Sequence, residues 1–508
     1  MDDHNAAVAA IAADVRRFHQ RQQPFRIYHG ATNSTRESPY DRNNIVSTRH
    51  LHHVLQVDLD KKTVLVEPNV PMDQLVAATL RQGLVPLVVM EFPGITAGGG
   101  FSGTSGESSS FRHGFFDATV TRIEIVLPNG DVRTASPTDA DPDLFWGAAS
   151  TLGTLGVVTM LEIQCRPAKP YVALTYLPAS SMAQAMQLVR KASADPATEY
   201  LDGIVYAHDH IVICAGRLAD LPSAGDPQPY RVQRLSRPHD PWFYLHAQRR
   251  ALRGHDTART GADYVPLQDY LFRYDRGAFW TGRYAFRYFI TPFNRITRYV
   301  LDCFMHTRVM YRALHASGLS HQFVIQDVAV PYRATAEFLY WLQQGTNFNA
   351  YPIWLCPLRV TQSKGGLMLG PSPGNTENEE KGEDEGYLMN FGLWAPSPFR
   401  RKSPEFVAQN RRLEQKVHEL GGRKWLYAHA YYTEDEFWAI YDKGQYDRLR
   451  KRFHAAYLPD LYHKVRVNLA PEGNRGWMGM LWEIWPIRGL YGVYKACRGG
   501  DYLIRKQS

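Results

Sequence analysis

Residues 93–110 combine flexible and hydroxyl-bearing residues in a pattern that can hold a phosphate group. This stretch, PGITAGGGFSGTSGESSS, contains six glycines and a single carboxylate, Glu107. Glycine lets the backbone turn through positive φ and lets a ligand approach main-chain N–H groups. Successive N–H groups form an anion-binding concavity, to which Ser and Thr hydroxyls add donors without bulk. We therefore interpret the stretch as a loop that cradles a diphosphate, with a flexible surface loop as the alternative.

Two further segments have a related composition. Residues 29–36, HGATNSTR, form a second turn of small polar residues after a candidate strand at 24–28. Residues 151–163, TLGTLGVVTMLEI, place two glycines directly before a strand, where tight strand packing is the alternative to ligand contact. The ~30-residue βαβ context of a Rossmann unit is missing around these glycines, so the pattern does not indicate that fold.

Periodicity and turn signals predict the elements that position these segments. A helix is expected over 71–83, because Pro71 stands near its first turn and Gly83 at its end. The other expected elements are an N-terminal helix over about 1–23, hairpins at 54–67 and 123–132, strands at 84–89, 171–178, 203–216 and 424–432, a charged helix at 403–420, and a solvated loop at 371–386.

Composition restricts the class of protein. A polypeptide of 508 residues with 44% hydrophobic and 21% charged residues is typical of a globular protein of about two to four domains. The net charge of +8 favours anionic partners such as phosphate-bearing cofactors or anionic lipid surfaces. Because the basic residues are scattered over most of the sequence, a nucleic acid partner is not expected.

The five cysteines are widely spaced and form no CxxC motif. This argues against structural zinc, any other metal site and a disulfide scaffold, and favours a reducing compartment. No run of ~20 apolar residues indicates a transmembrane helix. The N-terminus is acidic and its apolar run is short, so it is interpreted as an amphipathic helix and not as a signal peptide.

The arrangement of 24–36, 93–114 and 151–163 resembles the flavoprotein fold of the vanillyl-alcohol oxidase and p-cresol methylhydroxylase group. Within this group the sequence is most similar to the FAD-dependent Δ24-sterol reductases, over about residues 20–465. The stretches that carry the similarity are GESSSFRHGFF (106–116), DLFWGAASTLGTLGVV (143–158), RPAKPYV (166–172), EYLDGIVY (199–206), YVPLQDYLFRYDRGAFW (264–280), VIQDVAVP (324–331), YPIWLCP (351–357) and LYAHAYYTEDEFWAIYD (426–442).

The resemblance implies an α+β fold. It implies a two-subdomain FAD-binding domain of the p-cresol methylhydroxylase type at 1–168, an α+β substrate-binding cap domain at 169–465, and a basic aromatic C-terminal extension at 466–508. The animal members carry an N-terminal membrane anchor that this sequence does not show. The expected location is therefore the cytoplasm or the cytosolic face of the endoplasmic reticulum.

The resemblance also implies the cofactor and the residues that hold it. Many members of this fold attach FAD covalently through a histidine in the first loop, and Asn33 occupies that position here, which implies noncovalent FAD. His29 and His113 are other candidates for attachment, with a polar supporting role as the alternative. The residues expected to bind the cofactor are Gly30, Ala31, Thr32, Asn33, Ser34, Thr35, Arg36, Pro93, Gly94, Thr96, Gly98, Gly99, Gly103, Thr104, Ser105, Gly106, Glu107, Ser108, Ser109, His113, Gly153, Gly156, Val157 and Val158.

The implied reaction uses NADPH to reduce a C=C bond in the aliphatic side chain of a sterol or related isoprenoid. This bond is not polarised by a carbonyl, so hydride transfer needs a proton donor in a dry pocket. Asp327 is the first candidate, because burial in the hydrophobic strand FVIQDVAVP would raise the pKa of its carboxyl group. Tyr351 and Tyr431 are further candidates. A salt-bridged aspartate and core tyrosines are the alternative readings.

Two more features can each be interpreted in two ways. Arg273 and Arg276 could contact the phosphates of NADPH, since an Arg guanidinium matches phosphate geometry, or could pair with Asp275 or Asp269. The tail at 477–506 interleaves Trp and Tyr with Arg and Lys and resembles an element that contacts a membrane peripherally. It could equally pack against the body or a second subunit.

Two other functions compete with the reductase. The same flavin could serve an oxidase or dehydrogenase of an isoprenoid or other secondary metabolite that returns electrons to O₂. A catalytically silent flavin- or sterol-binding protein is the third possibility. The sequence leaves the exact substrate and the oligomeric state open.

Overall fold

The structure is a computed structural model of the protein. It describes residues 1–30, 36, 40–140, 142–223, 230–253, 261–345, 347–360, 384–399, 403–469 and 484–499. The expected cofactor residues Ala31, Thr32, Asn33, Ser34 and Thr35 lie outside the described residues, as does most of the 371–386 segment.

Strands and helices alternate along the sequence, which confirms the α+β fold. In sequence order the strands are β1 Arg26–Tyr28, β2 Ile45–Ser47, β3 Val54–Asp58, β4 Thr63–Val66, β5 Leu84–Pro86, β6 Val120–Val126, β7 Val132–Ala135, β8 Val157–Pro167, β9 Tyr171–Ala179, β10 Tyr200–Ala207, β11 His210–Ala219, β12 Arg231–Val232, β13 Asp263–Pro266, β14 Phe323–Pro331, β15 Ile353–Arg359, β16 Tyr387–Pro396 and β17 Arg423–Lys424.

The α-helices of the described residues vary from four to nineteen residues in length. In sequence order they are α1 Asp2–Gln20, α2 Met72–Leu80, α3 Ala97–Ser102, α4 Ser110–His113, α5 Asp143–Ala149, α6 Met182–Ala194, α7 Phe243–Arg253, α8 Leu267–Leu271, α9 Gly282–Tyr288, α10 Arg295–Val300, α11 Thr307–Ser317, α12 Thr335–Gln343, α13 Pro404–Glu419, α14 Glu434–Ile440, α15 Lys443–Arg452, α16 Leu461–Val465 and α17 Ile487–Arg498.

Local signals explain several of these boundaries. Helix α1 buries Val8, Ile11 and Val15, which recur at helical spacing and form one apolar face. Helix α13 begins where the Ser403 hydroxyl accepts a hydrogen bond from the Phe406 N–H and Pro404 occupies the first turn. The helix predicted over 71–83 is confirmed as α2, and its end is followed by Gly83 with a φ of 72°.

Two sheets organise the protein. The first is an antiparallel sheet in the order β3-β4-β8-β6-β7, with β5 paired to the outer part of β8. The second has nine strands in the order β12-β13-β9-β11-β10-β15-β16-β14-β17. The backbone passes from the first sheet to the second between Pro167 and Tyr171, next to the expected domain boundary at 168.

The segment after the second sheet returns to the first. Trp425 Nε1 donates to the Thr104 carbonyl at 2.7 Å, and the Tyr446 hydroxyl meets the Thr154 hydroxyl at 2.8 Å. The strand expected at 424–432 is wrong beyond Lys424, because the backbone leaves the sheet there to make these contacts. Residues that the sequence grouped with the cap therefore help to close the first domain.

The described residues contain neither a membrane-spanning helix nor a cluster of metal ligands. No helix of this part of the protein is long and apolar enough to cross a membrane. In the same residues, no group of His, Cys, Asp or Glu side chains is arranged to hold a metal ion.

Candidate active site

A cavity of about 330 Å³ lies where the loops of the first sheet face the strands of the second. Its wall brings the glycine-rich loop, the 151–158 turn and strand β14 together. The residues expected from the sequence that line it are Arg36, Gly94, Thr96, Gly98, Gly99, Gly103, Ser105, Gly106, Gly153, Gly156, Val158 and Asp327.

The glycine-rich loop has more regular structure than expected. It contains the short helices α3 and α4, and the Thr96 hydroxyl caps α3 by accepting from the Gly99 N–H at 3.2 Å. A Cβ on Gly98 would lie 2.6 Å from Pro68 Cβ, whereas a Cβ on Gly99 would meet only the Thr96 hydroxyl, at 3.1 Å. Gly98 therefore permits close packing against Pro68, and Gly99 leaves its part of the cavity wall without a side chain. The two roles expected of glycine, close backbone packing and access of a ligand to the backbone, both occur here.

The other described residues expected to bind the cofactor lie beside or behind this wall. Thr104 turns its carbonyl to Trp425, and the Ser109 hydroxyl donates to the Leu87 carbonyl at 2.7 Å. The Ser108 hydroxyl donates to Glu107 at 2.8 Å. These positions support the loop from behind, together with Gly30, Pro93, His113 and Val157, which are likewise absent from the cavity lining.

Three cations meet at one end of the cavity. Arg26, Arg36 and Lys464 all line it, and Lys464 reaches in from helix α16 to donate to the Leu152 carbonyl. Burial and the like charges of Arg26 and Arg36 lower the pKa of Lys464 to about 7. Burial, with the charge of Arg26, also lowers the pKa of Arg36 to about 10. An anionic group at this end would relieve the mutual repulsion.

A cluster of aromatic rings, here called the aromatic end, forms another part of the cavity wall. The Phe279 ring lies 4.3 Å from that of Trp394, 5.2 Å from that of Trp354 and 5.6 Å from that of Phe92, measured between centroids. Phe279 has a φ of 63°, a left-handed conformation that costs a non-glycine residue energy and therefore needs support from its packing. Tyr311 completes the wall, 6.0 Å from Phe92. This end can enclose a flat or apolar ligand.

Asp327 is the carboxyl group at the aromatic end. It lies on β14, 7% exposed, where Asn390 Nδ2 donates to its Oδ1 at 3.0 Å and the Tyr427 hydroxyl donates to its Oδ2. Burial raises the pKa of Asp327 to about 6, against the opposing effect of the hydrogen bonds from Asn390, Tyr427 and Trp394. No cation pairs with it among the contacts of the described residues. The predicted burial is thus present, and the salt-bridged alternative does not apply.

A second carboxyl group lines the cavity. Burial raises the pKa of Glu91 well above its usual value, as does the neighbouring charge of Glu107. Glu91 Oε1 is buried without a hydrogen-bond partner among the described residues. Glu91 was not among the residues predicted from the sequence, although its apolar neighbours in LVVMEFPG (87–94) were a signal for burial.

The two tyrosines expected to compete with Asp327 lie elsewhere. The Tyr351 hydroxyl accepts from Gln343 Nε2 at 2.6 Å, and Tyr351 is not part of the cavity lining. Tyr431 is buried and donates its backbone N–H to Glu414 at 2.8 Å, beyond the same lining. The expectation that either supplies the proton at this cavity conflicts with these positions, and the alternative of core tyrosines fits them better.

Arg273 and Arg276 are not placed to contact the phosphates of NADPH. Both are 3% exposed, so a phosphate could not reach them without unfolding the surroundings. Arg273 pairs with Asp202 at 2.8 Å, and Arg276 pairs with Asp302 at 2.7 Å. The ion-pair alternative is what the structure shows, although the partners are neither Asp275 nor Asp269. The partners could not be predicted from neighbouring positions, because Asp202 and Asp302 are distant from the two arginines in the sequence.

This arrangement predicts a structural role for Arg276. Replacing it in Arg276→Met leaves Asp302 with His306 as its remaining ion-pair partner, at 3.5 Å, and deprives the carbonyls of Leu235 and Pro238 of their donor. We expect the free energy of unfolding in urea to fall by about 2–3 kcal/mol, the usual effect of leaving buried acceptors without their charged donor. The exposed control Arg217→Met should change it by about 0.5 kcal/mol or less. A stable Arg276→Met protein with a raised KM for NADPH would contradict the structural role.

Comparison with known proteins shows what this chain is similar to. Residues 6–136 match the family described as FAD binding domain. Delta(24)-sterol reductase of Mus musculus is 29% identical over 442 residues, which cover 85% of this chain and 80% of that protein. Delta(24)-sterol reductase of Arabidopsis thaliana is 28% identical over 428 residues, covering 81% and 74%. The Delta(24)-sterol reductase homolog of Caenorhabditis elegans is 25% identical over 438 residues, covering 83% and 78%.

The protein is similar to the Delta(24)-sterol reductases over most of its length. The resemblance seen in the sequence is thereby confirmed, as is an FAD-binding domain at its N-terminal end. The range that matches the FAD-binding domain includes the glycine-rich loop and ends at Ser136, before the 151–158 turn.

Several cavity residues had no sequence signal of their own. Tyr427 and Lys464 come from the segment that returns to the first domain, and Asn390 and Trp394 lie on β16, which pairs with the strand of Asp327. The pairing of these strands identifies one of them, because Gly392 pairs with Asp327 and Asn390 lies two residues away on the same face. Predicting that pairing from the sequence would have required the register of two strands whose contacting side chains, Asp327 and Asn390, are 63 positions apart.

Proposed function

We propose that this protein is an FAD enzyme that reduces a C=C bond in the aliphatic side chain of a sterol or related isoprenoid, with NADPH as electron donor. The relatives named Delta(24)-sterol reductase support the reaction class. The observation that carries the proposal is a single cavity lined by three basic side chains, by glycines and by aromatic rings. The same cavity contains Asp327, a buried carboxyl group with a pKa of about 6.

The residues present fit FAD. The cationic end offers Arg26, Arg36 and Lys464 to a diphosphate, and charge-assisted hydrogen bonds to phosphate are the strong ones. Gly99 and Gly153 keep the adjoining wall free of side chains, so a large planar group can lie against the backbone. When bound, FAD supplies hydride transfer between the nicotinamide and the substrate.

Asp327 is the residue proposed to hold the proton for the second carbon of the alkene. Burial raises its pKa to about 6, so a fraction of the protein carries the proton at neutral pH. Asn390 and Tyr427 fix the orientation of its two oxygens. The rings of Phe279, Trp394 and Tyr311 keep water away from the position at which the alkene must lie.

Anaerobic mixing with NADPH tests the direction of electron flow. We expect NADPH to bleach the flavin absorbance of the purified protein, and a Δ24 sterol added afterwards to restore it with formation of the saturated side chain. Mass spectrometry of products from a panel of Δ24 and Δ24(28) sterols identifies the alkene. Flavin that NADPH fails to bleach, but that reoxidises with O₂ after reduction by an isoprenoid alcohol, would instead make the protein an oxidase.

Noncovalent attachment of FAD is part of the proposal. It rests on Asn33 at the position where the resemblance expects the attaching histidine. His113 does not line the cavity, whereas His29 does, so His29 is the residue at which a covalent bond would contradict the proposal. Acid precipitation should therefore release the whole flavin into the supernatant. Yellow colour that remains in the washed pellet would show a covalent bond.

A further inference from the structure

A large apolar surface lies exposed beside the last helix. Ile290 and Ile296 are each 75% exposed, Val300 65%, Leu490 56%, Tyr494 51% and Trp485 50%. Soluble proteins rarely expose contiguous apolar patches of this kind unless something covers them. We call this set the apolar platform.

The two parts of the apolar platform are joined by direct contacts. Trp485 Nε1 donates to the Tyr288 carbonyl at 2.7 Å, two residues before Ile290. Arg488 Nε donates to the Ser317 carbonyl at 3.0 Å, which fixes helix α17 to helix α11. A Cβ on Gly489 would lie 2.8 Å from the Phe289 ring, so a glycine is needed for this close approach. Helix α17 therefore packs directly against residues 288–289, and the exposed Ile290 follows them at once in the sequence.

Basic residues predominate around the apolar platform. Residues 281–318 and 484–499 contain nine arginines and lysines and a single acidic residue, Asp302. Asp302 is buried and paired with Arg276, and one of the nine cations, Arg308, is paired with Asp73 at 2.6 Å. Exposed apolar side chains surrounded by Arg and Lys match the headgroup region of an anionic bilayer. A protein partner would need a surface that is apolar and acidic at once.

Helix α11 connects the apolar platform to the cavity. Its Tyr311 lines the aromatic end beside Asp327, while Ala313 and Ser317 contact helix α17. A single helix thus has one side at the expected substrate position and the other under the apolar platform. An apolar substrate that arrives from a bilayer on this face has only the thickness of one helix to pass.

We propose that the apolar platform docks on an anionic lipid bilayer and that a membrane-dissolved apolar substrate enters the cavity from that side. The second half of this proposal rests on the proposed function, whereas the docking itself does not. Leu490, Ile296 and Ile290 enter the apolar layer, and the surrounding arginines meet the phosphate headgroups. Helix α17 thereby acts as a monotopic anchor, which enters one leaflet without crossing the bilayer.

Flotation with vesicles tests the docking. The holoenzyme should float with phosphatidylcholine vesicles that contain about 30 mol% phosphatidylglycerol, and less with phosphatidylcholine alone or at high salt. The double variant Ile296→Asp/Leu490→Asp should lower the partition coefficient at least about tenfold, since it puts two carboxylates into the interface. Leu59→Asp, a 52% exposed leucine in the β3–β4 turn, is the matched control and should bind as wild type.

The outcomes separate the alternatives. Vesicle binding that is unchanged in the double variant, or absent from the wild type, overturns the proposal. If the double variant instead converts a dimer to a monomer in sedimentation velocity without any vesicle binding, the apolar platform is an interface between copies and the proposal is also wrong. Retained flavin in the double variant confirms that it is folded.

Turnover tests the entry route separately. With a Δ24 sterol in anionic vesicles, the double variant should lose at least about tenfold in product formation, and detergent-dispersed sterol should restore it. Its flavin should still be bleached by NADPH at the wild-type rate. Equal loss in vesicles and detergent contradicts the entry route. A wild-type flavin that NADPH cannot bleach contradicts the proposed function and leaves the flotation result intact.

Discussion

Asp327→Asn is expected to lower kcat for alkene reduction by about 10²–10⁴-fold, the usual contribution of a positioned proton donor. Asparagine keeps the shape and can still accept from Asn390 or Tyr427, but it cannot release a proton to carbon. Reduction of the flavin by NADPH does not use this proton and should proceed at the wild-type rate. Stopped-flow measurement of both half-reactions distinguishes the two steps.

The pH dependence gives a second, independent readout. A proton donor must be protonated, so turnover should be highest below the pKa of Asp327, about 6, and fall by about tenfold per pH unit above it. The hydrogen bond from Tyr427 favours the charged carboxylate. Tyr427→Phe should therefore raise this pKa and move the fall in activity to higher pH, and the profile of Asp327→Asn should be flat.

Asp117→Asn is the matched control for this prediction. Burial raises the pKa of Asp117 to about 7, but this carboxyl group does not line the cavity. Its replacement removes a buried aspartate of comparable acidity and should leave kcat and the pH profile unchanged. Wild-type turnover in Asp327→Asn, or an equal loss in both variants, would reject Asp327 as the donor.

Local pattern was sufficient for much of the first domain. Pro71 and Gly83 marked the ends of helix α2, and Asn129-Gly130 marked the turn between β6 and β7, because these signals act within a few residues. The burial of Asp327 also followed from its own strand, whose neighbouring residues are mostly apolar. Features that depend on neighbouring residues could therefore be predicted from the sequence.

The contacts that the sequence did not predict join segments that are distant in the sequence. For Arg276 the sequence left contact with the NADPH phosphates and an ion pair with Asp275 or Asp269 as alternatives, whereas its partner is Asp302, 26 positions away. Tyr427 and Lys464 reach the cavity through a segment that leaves its sheet to cover the first domain. Such contacts depend on how whole elements pack, and no periodicity in a single segment encodes that packing.

Lys464 shows what this returning segment contributes. Lys464→Met should raise the dissociation constant of FAD by about 10–100-fold, because a hydrogen bond from a charged donor to an anion contributes about 1.5–3 kcal/mol. Methionine keeps a similar length and suits the buried position, so the fold should survive. Fluorescence titration of the deflavinated protein measures the change, and Lys61→Met, with a side chain 71% exposed, is the control.

The pH dependence of FAD affinity provides the decisive comparison. Without cofactor the pKa of Lys464 is about 7, because burial and its arginine neighbours disfavour the charge. A diphosphate favours the charged form and must raise that pKa, so binding takes up a proton above pH 7 and the affinity must fall as the pH rises from 7 towards the new pKa. Lys464→Met has no proton to take up and should lose this dependence between about pH 6 and 9. If it binds FAD as tightly as wild type and with the same pH dependence, the diphosphate lies elsewhere, and the cationic end must serve another anion.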